Sequence, residues 1–113
     1  MLKPLFWLNL AWMSGLPLLA TNSYAQELSF AITISNHTFQ PSELSVPAGK
    51  KFKLLVKNLD PTAEEFESHD LQREKVIPGR SEAILVLGPL KPGTYKFVGE
   101  FHEKTAKGSL IAR

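Results

Sequence analysis

Residues 95–108 read "YKFVGEFHEKTAKG", and this stretch decides how the last part of the chain folds. Tyr95 and Phe97 are separated by one lysine, and this two-residue period is typical of a strand with one buried face. A short polar turn follows and carries His102, and Gly108 opens the final segment "GSLIAR". The stretch therefore predicts two strands joined by a turn that displays one histidine.

The same period continues toward the N-terminus. "LSFAITIS", residues 28–35, and "KFKLLVKN", residues 51–58, alternate apolar with polar side chains, as half-buried strands do. Short strands are also predicted around residues 44–46 and in "AILVLG", residues 83–88, with turns such as "GPLKPG" between the segments. No window shows the apolar stripe of a helix, although "PTAEEFESHDLQREK", residues 61–75, comes nearest. About six or seven short strands separated by turns predict an all-β fold, a Greek-key β-sandwich.

The first 25 residues differ in composition from the rest of the chain. Lys3 is followed by a long apolar run, and small or polar residues precede Gln26, which is the order of parts in a secretory signal. We expect export with cleavage after Ala25, which leaves residues 26–113 as one domain. The alternative is an uncleaved membrane anchor, although the run is interrupted by polar residues and is shorter than the ~20 residues that a span needs.

The composition excludes several classes of function. Residues 26–113 carry 12 basic and 11 acidic side chains, a balance that predicts binding neither to nucleic acid nor to anionic membranes. The chain has no cysteine, which rules out disulfides, thiolate metal ligands and a cysteine nucleophile. Ser68 and His69 are neighbours, but adjacent side chains of a strand point to opposite faces, and no Gly-x-Ser-x-Gly motif is present. Hydrolytic catalysis is therefore not expected.

Two segments combine acidic side chains with a histidine. In an extended chain Glu65, Glu67 and His69 point to one side, and Glu100 and His102 have the same two-residue spacing. A sandwich can bring two such strand ends together at one pole, which would place two imidazoles and several carboxylates around a shared ion. Imidazole combined with carboxylate suits iron and copper(II). The segments therefore predict a metal site, and the alternative is that these charges are simply solvated.

Three other side chains are judged from their surroundings in the sequence. His37, in the turn "SNHTFQP", is an additional candidate ligand, although a turn histidine more often has no such role. Glu64 and Glu103 are expected to be ordinary surface charges.

Several segments also resemble a known family. "HTFQPSELSVPAGKKFKLLVKN", residues 37–58, is similar to the opening of cupredoxin-like domains. "EEFESHDLQREKVIPG", residues 64–79, "GPLKPGTYKFVGEFH", residues 88–102, and "KGSLIA" resemble one branch, the cupredoxin-like proteins of bacterial periplasmic iron-uptake systems, which are related to the cupredoxin-like domain of EfeO-type proteins. The resemblance covers residues 28–113. It implies a periplasmic location and two partners, a high-affinity iron permease and a periplasmic iron-binding protein. The protein would then contact the membrane only through a partner or an uncleaved leader.

The resemblance also implies positions for metal ligands. His69 falls where a blue copper protein has its first copper histidine and His102 where it has the second, while Gly99 takes the place of the cysteine and the axial methionine falls near Lys107. Blue copper chemistry requires the thiolate, so this protein is not expected to be a blue electron carrier. Replacing sulfur with the oxygens of carboxylates shifts the expected preference toward iron and copper(II).

We therefore expect an exported metal-binding protein that holds iron, copper or both and assists iron oxidation or delivery to the permease. A ferroxidase-like activity would need an electron acceptor that the sequence does not reveal. Two alternatives remain open at this point: a metal-free module that docks on the permease or another partner, and a protein that handles copper alone.

Overall fold

The computed structural model describes residues 27–113, and the predicted leader with its cleavage point after Ala25 lies outside the described residues. The described part contains nine strands and one short 3-10 helix, η1. In chain order these are β1 (Ser29–Ser35), β2 (Thr38–Gln40), β3 (Glu43–Val46), β4 (Phe52–Asn58), β5 (Glu64–Ser68), β6 (Arg73–Ile77), β7 (Ser81–Leu87), β8 (Gly93–Gly99), η1 (Glu100–His102) and β9 (Lys107–Ala112). Within residues 27–113, no helix is long and apolar enough to cross a membrane.

The strands form two mixed sheets with a shared core. One sheet has the strand order β2-β1-β4-β7 and the other β3-β9-β8-β5-β6. β1 runs parallel to β4 and β3 parallel to β9, whereas the other neighbouring pairs are antiparallel. The all-β sandwich predicted from the sequence is confirmed.

The core lies between the sheets and is built from the alternating apolar positions that define the strands. Three buried phenylalanines, Phe39, Phe66 and Phe97, join the two sheets at its centre. Phe97 meets Phe39 edge-on with ring centroids 4.9 Å apart and stacks on Phe66 at 5.0 Å. Because burial of each such ring contributes about 1.5–3 kcal/mol, this cluster holds the β5–β8 pair firmly against the other sheet.

The number of strands predicted from the sequence is too low, because β2 and the β5–β6 hairpin are missing from the prediction. In β5, Glu64, Phe66 and Ser68 all point inward with exposures of 2% or less. Two of these three buried side chains are polar, so the strand lacks the apolar alternation that marks its neighbours. Glu65 and Glu67 share the opposite face, as expected for an extended chain.

The connection from β4 to β5 is fixed by the buried side chain of Asn58. Its amide donates to the carbonyl oxygens of Thr62 at 2.9 Å and Ile77 at 3.1 Å, and its side-chain oxygen accepts the backbone N–H of Asp60 at 3.1 Å. Breaking any of these bonds would leave a buried polar group unpaired, so they hold the loop in one conformation. The loop thereby brings Asp60 and Glu64 to the same end of the sandwich.

Candidate metal centre

The side chain of Glu64 is the centre of a hydrogen-bonded cluster at this end of the sandwich. It is 1% exposed, and its Oε2 lies 2.7 Å from Nδ1 of His102. Its Oε1 accepts the backbone N–H groups of Glu65 at 2.8 Å and Phe101 at 2.9 Å. A buried carboxylate is tolerated only when such donors surround it. The expectation that Glu64 is a surface charge is therefore wrong, and the cause is that it shares the inward face of β5.

Gly99 leaves the room that the Glu64 carboxylate fills. A Cβ atom placed on residue 99 would lie 2.7 Å from Cδ and 2.8 Å from Oε2 of Glu64, and 2.7 Å from Cβ of Ala106. Real Cβ atoms essentially never approach other heavy atoms this closely. The space that a side chain at position 99 would enter is thus occupied by the carboxylate from β5.

His37 lies against His102 from the turn between β1 and β2. The two rings are stacked, with centroids 3.6 Å apart and planes inclined by 13°. Nδ1 of His37 lies 3.4 Å from Oδ2 of Asp60, so each ring has a carboxylate beside its Nδ1. We call His37 and His102 the histidine pair. The structure therefore brings together one strongly predicted candidate, His102, and the additional candidate His37.

Asp60 also shapes the turn that carries His37. Asn36 and His37 have φ values of 52° and 56°, a left-handed conformation that side chains other than glycine rarely adopt. Asp60 accepts the backbone N–H of Asn36 at 2.8 Å and that of His37 at 3.0 Å, and the hydroxyl of Thr105 donates to the carbonyl of His37 at 2.6 Å. These bonds compensate the strained backbone and hold the turn that carries the ring.

The charge of Asp60 is favoured by the same contacts. Burial alone would raise the pKa of this carboxyl, but the backbone N–H groups of His37 and Asn36, together with the nearby imidazoles, lower the pKa below its ordinary value. The neighbouring imidazoles of His37 and His102 act in the same direction. The histidine pair therefore faces a charged carboxylate on the His37 side.

His69 lies at the other end of β5. The pairing of Phe66 with Gly99 runs β5 antiparallel to β8, so the chain beyond Ser68 passes Lys96, whose N–H donates to Asp70 at 2.9 Å. His102 contacts Glu64, five residues before His69, a separation of about 16 Å along an extended chain. The expectation that His69 and His102 share one ion is therefore wrong, because the start of β5 rather than its end meets η1. A metal role for His69 by itself stays a prediction.

The remaining predicted ligands, Glu65, Glu67 and Glu100, form an acidic surface together with Glu74. Glu67 lies opposite Glu74 in the β5–β6 pair. Partial burial, followed by the nearby charge and hydrogen bond of Glu100, raises the pKa values of Glu65 and Glu67. These side chains lie on the face of β5 opposite to Glu64. The carboxylate at the histidine pair comes from Glu64 instead.

Within residues 27–113, no three histidine, aspartate or glutamate side chains are arranged to hold a metal ion by themselves. The ligand roles of Glu65, Glu67 and Glu100 are therefore still predictions, and Glu103 is exposed as expected. Sequence reasoning missed Asp60 and Glu64. The available signal for Glu64 was its spacing of two from Phe66, which puts both on one face of a strand.

The donor groups at the histidine pair suit a borderline metal ion. Metal-binding histidines generally place one ring nitrogen against a carboxylate and use the other nitrogen as the ligand. Both members of the pair have such a carboxylate, Glu64 for His102 and Asp60 for His37. Imidazole nitrogen suits copper, iron and zinc, and the chain contains no cysteine to supply a thiolate. In ligand type the pair matches copper(II) or iron but not a blue copper centre.

Solved structures of copper proteins share this fold. Auracyanin A, a "blue" copper protein from Chloroflexus aurantiacus, aligns over 78% of this chain and 100% of its own, with a TM-score of 0.66 and 14% identity. The metal-binding domain of the Cu(I)-exporting P-type ATPase CopA of Streptococcus pneumoniae D39 aligns over 75% of this chain and 84% of its own, with a TM-score of 0.63 and 17% identity. A purple cupredoxin from Nitrosopumilus maritimus covers 74% of this chain and 98% of its own, with a TM-score of 0.58 and 18% identity. Identities this low establish the fold alone.

Sequence comparison extends the relationship. An uncharacterized protein of Rickettsia prowazekii (strain Madrid E) is 46% identical over 84 residues, which are 74% of this chain and 67% of that protein. The family described as "Cupredoxin-like domain" matches residues 5–112. The match covers nearly the whole chain and agrees with the two-sheet architecture, so this protein belongs to the Cupredoxin-like domain family.

Proposed function

We propose that this protein is an exported, periplasmic metal-binding protein of an iron-uptake system, and that it binds copper or iron at the histidine pair. The observation that carries the proposal is the stack of His37 on His102, with a carboxylate beside Nδ1 of each ring. Proteins that share the fold include copper proteins, which supports a metal-binding role in general.

The assignment to iron uptake rests on the resemblance of residues 64–79 and 88–102 to cupredoxin-like proteins of those systems. The donor chemistry is compatible with it, because a site without sulfur loses the preference for copper(I) and accepts copper(II) or iron. In this role the protein would pass iron to a high-affinity permease, receive it from a periplasmic iron-binding protein, or assist its oxidation when an electron acceptor is present.

Calorimetric titration of the exported protein with copper(II), and with iron(II) under anaerobic conditions, tests the proposal. We expect binding that His102→Ala and His37→Ala each weaken by about tenfold or more, the range seen when metal sites are disturbed. His69→Ala is the matched control and should leave binding unchanged. Absence of binding tighter than about millimolar would overturn the proposal, and a loss with His69→Ala equal to that with His102→Ala would restore His69 as a ligand.

A second candidate function is a metal-free docking module. The observation that favours it is the acidic surface of Glu65, Glu67, Glu74 and Glu100, where partial burial and then the crowding of like charges raise the pKa values of Glu65 and Glu67. A basic segment of a permease or another partner would relieve this repulsion. Under this alternative a His37→Ala/His102→Ala variant supports iron-limited growth as well as wild type does, whereas under the metal proposal growth fails. Copper handling uses the same histidine pair, and relative affinity for the two metals separates it from iron uptake.

A further inference from the structure

We infer that the metal ion binds to the Nε2 atoms of the histidine pair, on the side of the rings away from the two carboxylates, which we call the outer side. Glu64 and Asp60 contact the Nδ1 atoms on the inner side and are positioning residues. This inference rests on the proposed function, since it specifies where and by which atoms the ion is held. It differs from the expectation drawn from the sequence, in which His69 and His102 would share the ion with nearby carboxylates.

The inner side of His102 has no room for an ion. The Glu64 carboxylate lies so close to Gly99 that even a Cβ atom there would approach Oε2 to 2.8 Å. Both carboxylate oxygens are engaged, Oε1 by two backbone N–H groups and Oε2 by Nδ1 of His102. An ion at this point would have to displace three hydrogen bonds of a group that is 1% exposed.

The outer side remains accessible. The side chain of His102 is 30% exposed and that of His37 is 43% exposed. A carboxylate only accepts hydrogen bonds, so the 2.7 Å contact with Glu64 places the ring hydrogen of a neutral His102 on Nδ1 and leaves a lone pair on Nε2. Among the residues that the structure describes, neither Nε2 has a hydrogen-bond partner. Nε2 is therefore the free donor of His102, and in His37 the nitrogen nearer to a carboxylate is likewise Nδ1.

The two rings differ in how firmly they are held. Nδ1 of His102 lies 2.7 Å from a buried carboxylate, whereas Nδ1 of His37 lies 3.4 Å from Asp60 on a turn. A ring lone pair lies in the ring plane, and the planes here are inclined by only 13°, so the donors point side by side rather than toward one ion. Sharing an ion therefore requires one ring to tilt, and His37 is the ring with the longer contact. His102 is the fixed ligand, and His37 closes on the ion.

An ion bound by these two nitrogens still has coordination positions open to other ligands. Copper(II) and iron both take more than two donors, so water or a group supplied by a partner would complete the coordination. A site of this kind is suited to an ion that arrives and leaves rather than one stored permanently. The inference thus names a surface exchange site for a borderline metal ion.

NMR of the ¹⁵N-labelled exported protein, titrated with zinc(II) as a diamagnetic probe and with copper(II), tests the inference. In the metal-free protein we expect the His102 ring signals of an Nδ1–H tautomer. Zinc should shift Nε2 of His37 and His102 far more than Nδ1, and copper(II) should broaden the same signals. Glu64→Gln should alter the tautomer signal of His102 and weaken metal binding by about tenfold or more.

Glu103→Gln is the matched control, because it makes the same chemical change on an exposed neighbour of η1 and should leave both tautomer and affinity unchanged. If the metals bind but shift Nδ1 of His102, or if Glu64→Gln binds as well as wild type with an unchanged tautomer, the inference is overturned while the proposed function stands. If no metal binds, the proposed function itself fails. Should Glu64→Gln not fold, the nitrogen shifts of the wild-type protein alone decide the question.

Discussion

Replacing Gly99 with alanine tests whether the Glu64 carboxylate fills the space beside residue 99. The added Cβ would meet Cδ of Glu64 and Cβ of Ala106, each at 2.7 Å. Overpacking of this kind costs about 1–3 kcal/mol, and moving the carboxylate would also strain its hydrogen bonds, each worth about 1.5–3 kcal/mol for a charged group. We expect a loss of about 2–5 kcal/mol, a large part of the stability of a domain this small.

Urea unfolding followed by circular dichroism measures this loss. With a slope of about 1–2 kcal/mol/M for a small domain, the midpoint should fall by roughly 1–5 M. Gly49→Ala is the control, because a Cβ there meets nothing within 4 Å and its φ of 76° predicts only backbone strain of about 1 kcal/mol. A Glu64→Ala background should reduce the cost of Gly99→Ala, leaving the contact with Ala106. If Gly99→Ala costs no more than Gly49→Ala, the carboxylate does not occupy that space.

Three other variants test the electrostatics and the core. Asp60→Asn should lower stability at pH 7 and differ least from wild type near pH 2. The lowered pKa of Asp60 stabilises the fold above about pH 4, and this contribution is lost as the pH falls through the lowered value. An equal loss in urea unfolding at both pH values would contradict this reasoning. Glu100→Gln should raise the melting temperature at pH 7. After partial burial, Glu100 is the main cause of the raised pKa values of Glu65 and Glu67, and the fold loses stability as the pH rises through those values. The gain should shrink in high salt or below about pH 4, and a gain insensitive to both would exclude repulsion as its cause. Phe66→Ala should cost about 3–5 kcal/mol in urea unfolding, and a loss below about 1 kcal/mol would show that its stack on Phe97 contributes little.

Much of the fold is predictable because most strands bury one apolar face. The alternation in residues 28–35 and 51–58 coincides with β1 and β4, and the stretch at residues 95–108 contains the end of β8, all of η1 and the start of β9. β5 has no such signal, since Glu64 and Ser68 take buried positions on either side of Phe66. Their burial is satisfied by contacts formed in the folded protein, which local pattern reasoning does not include.

The site was only partly predictable for a related reason. Glu64 begins β5 and His69 directly follows its end, and strand register decides which of the two lies near η1. The pairing of Phe66 with Gly99 sets that register, and it joins positions 33 apart in the sequence. A local pattern fixes which side chains share a face but not which end of the strand meets η1. The histidine pair depends in the same way on a turn far from η1 in the sequence.

The carboxylate of Glu64 shows how the space next to Gly99 is filled when residue 99 has no side chain. A buried carboxylate needs several donors, and Glu64 obtains two from the backbone and one from His102. The same bond that satisfies the carboxylate uses the inner nitrogen of the ring and thereby directs its other nitrogen outward. Because the carboxylate occupies the space next to Gly99, a cysteine restored at that position would find no room. Recovering a blue copper centre in this protein would therefore require a change at residue 64 as well as at residue 99.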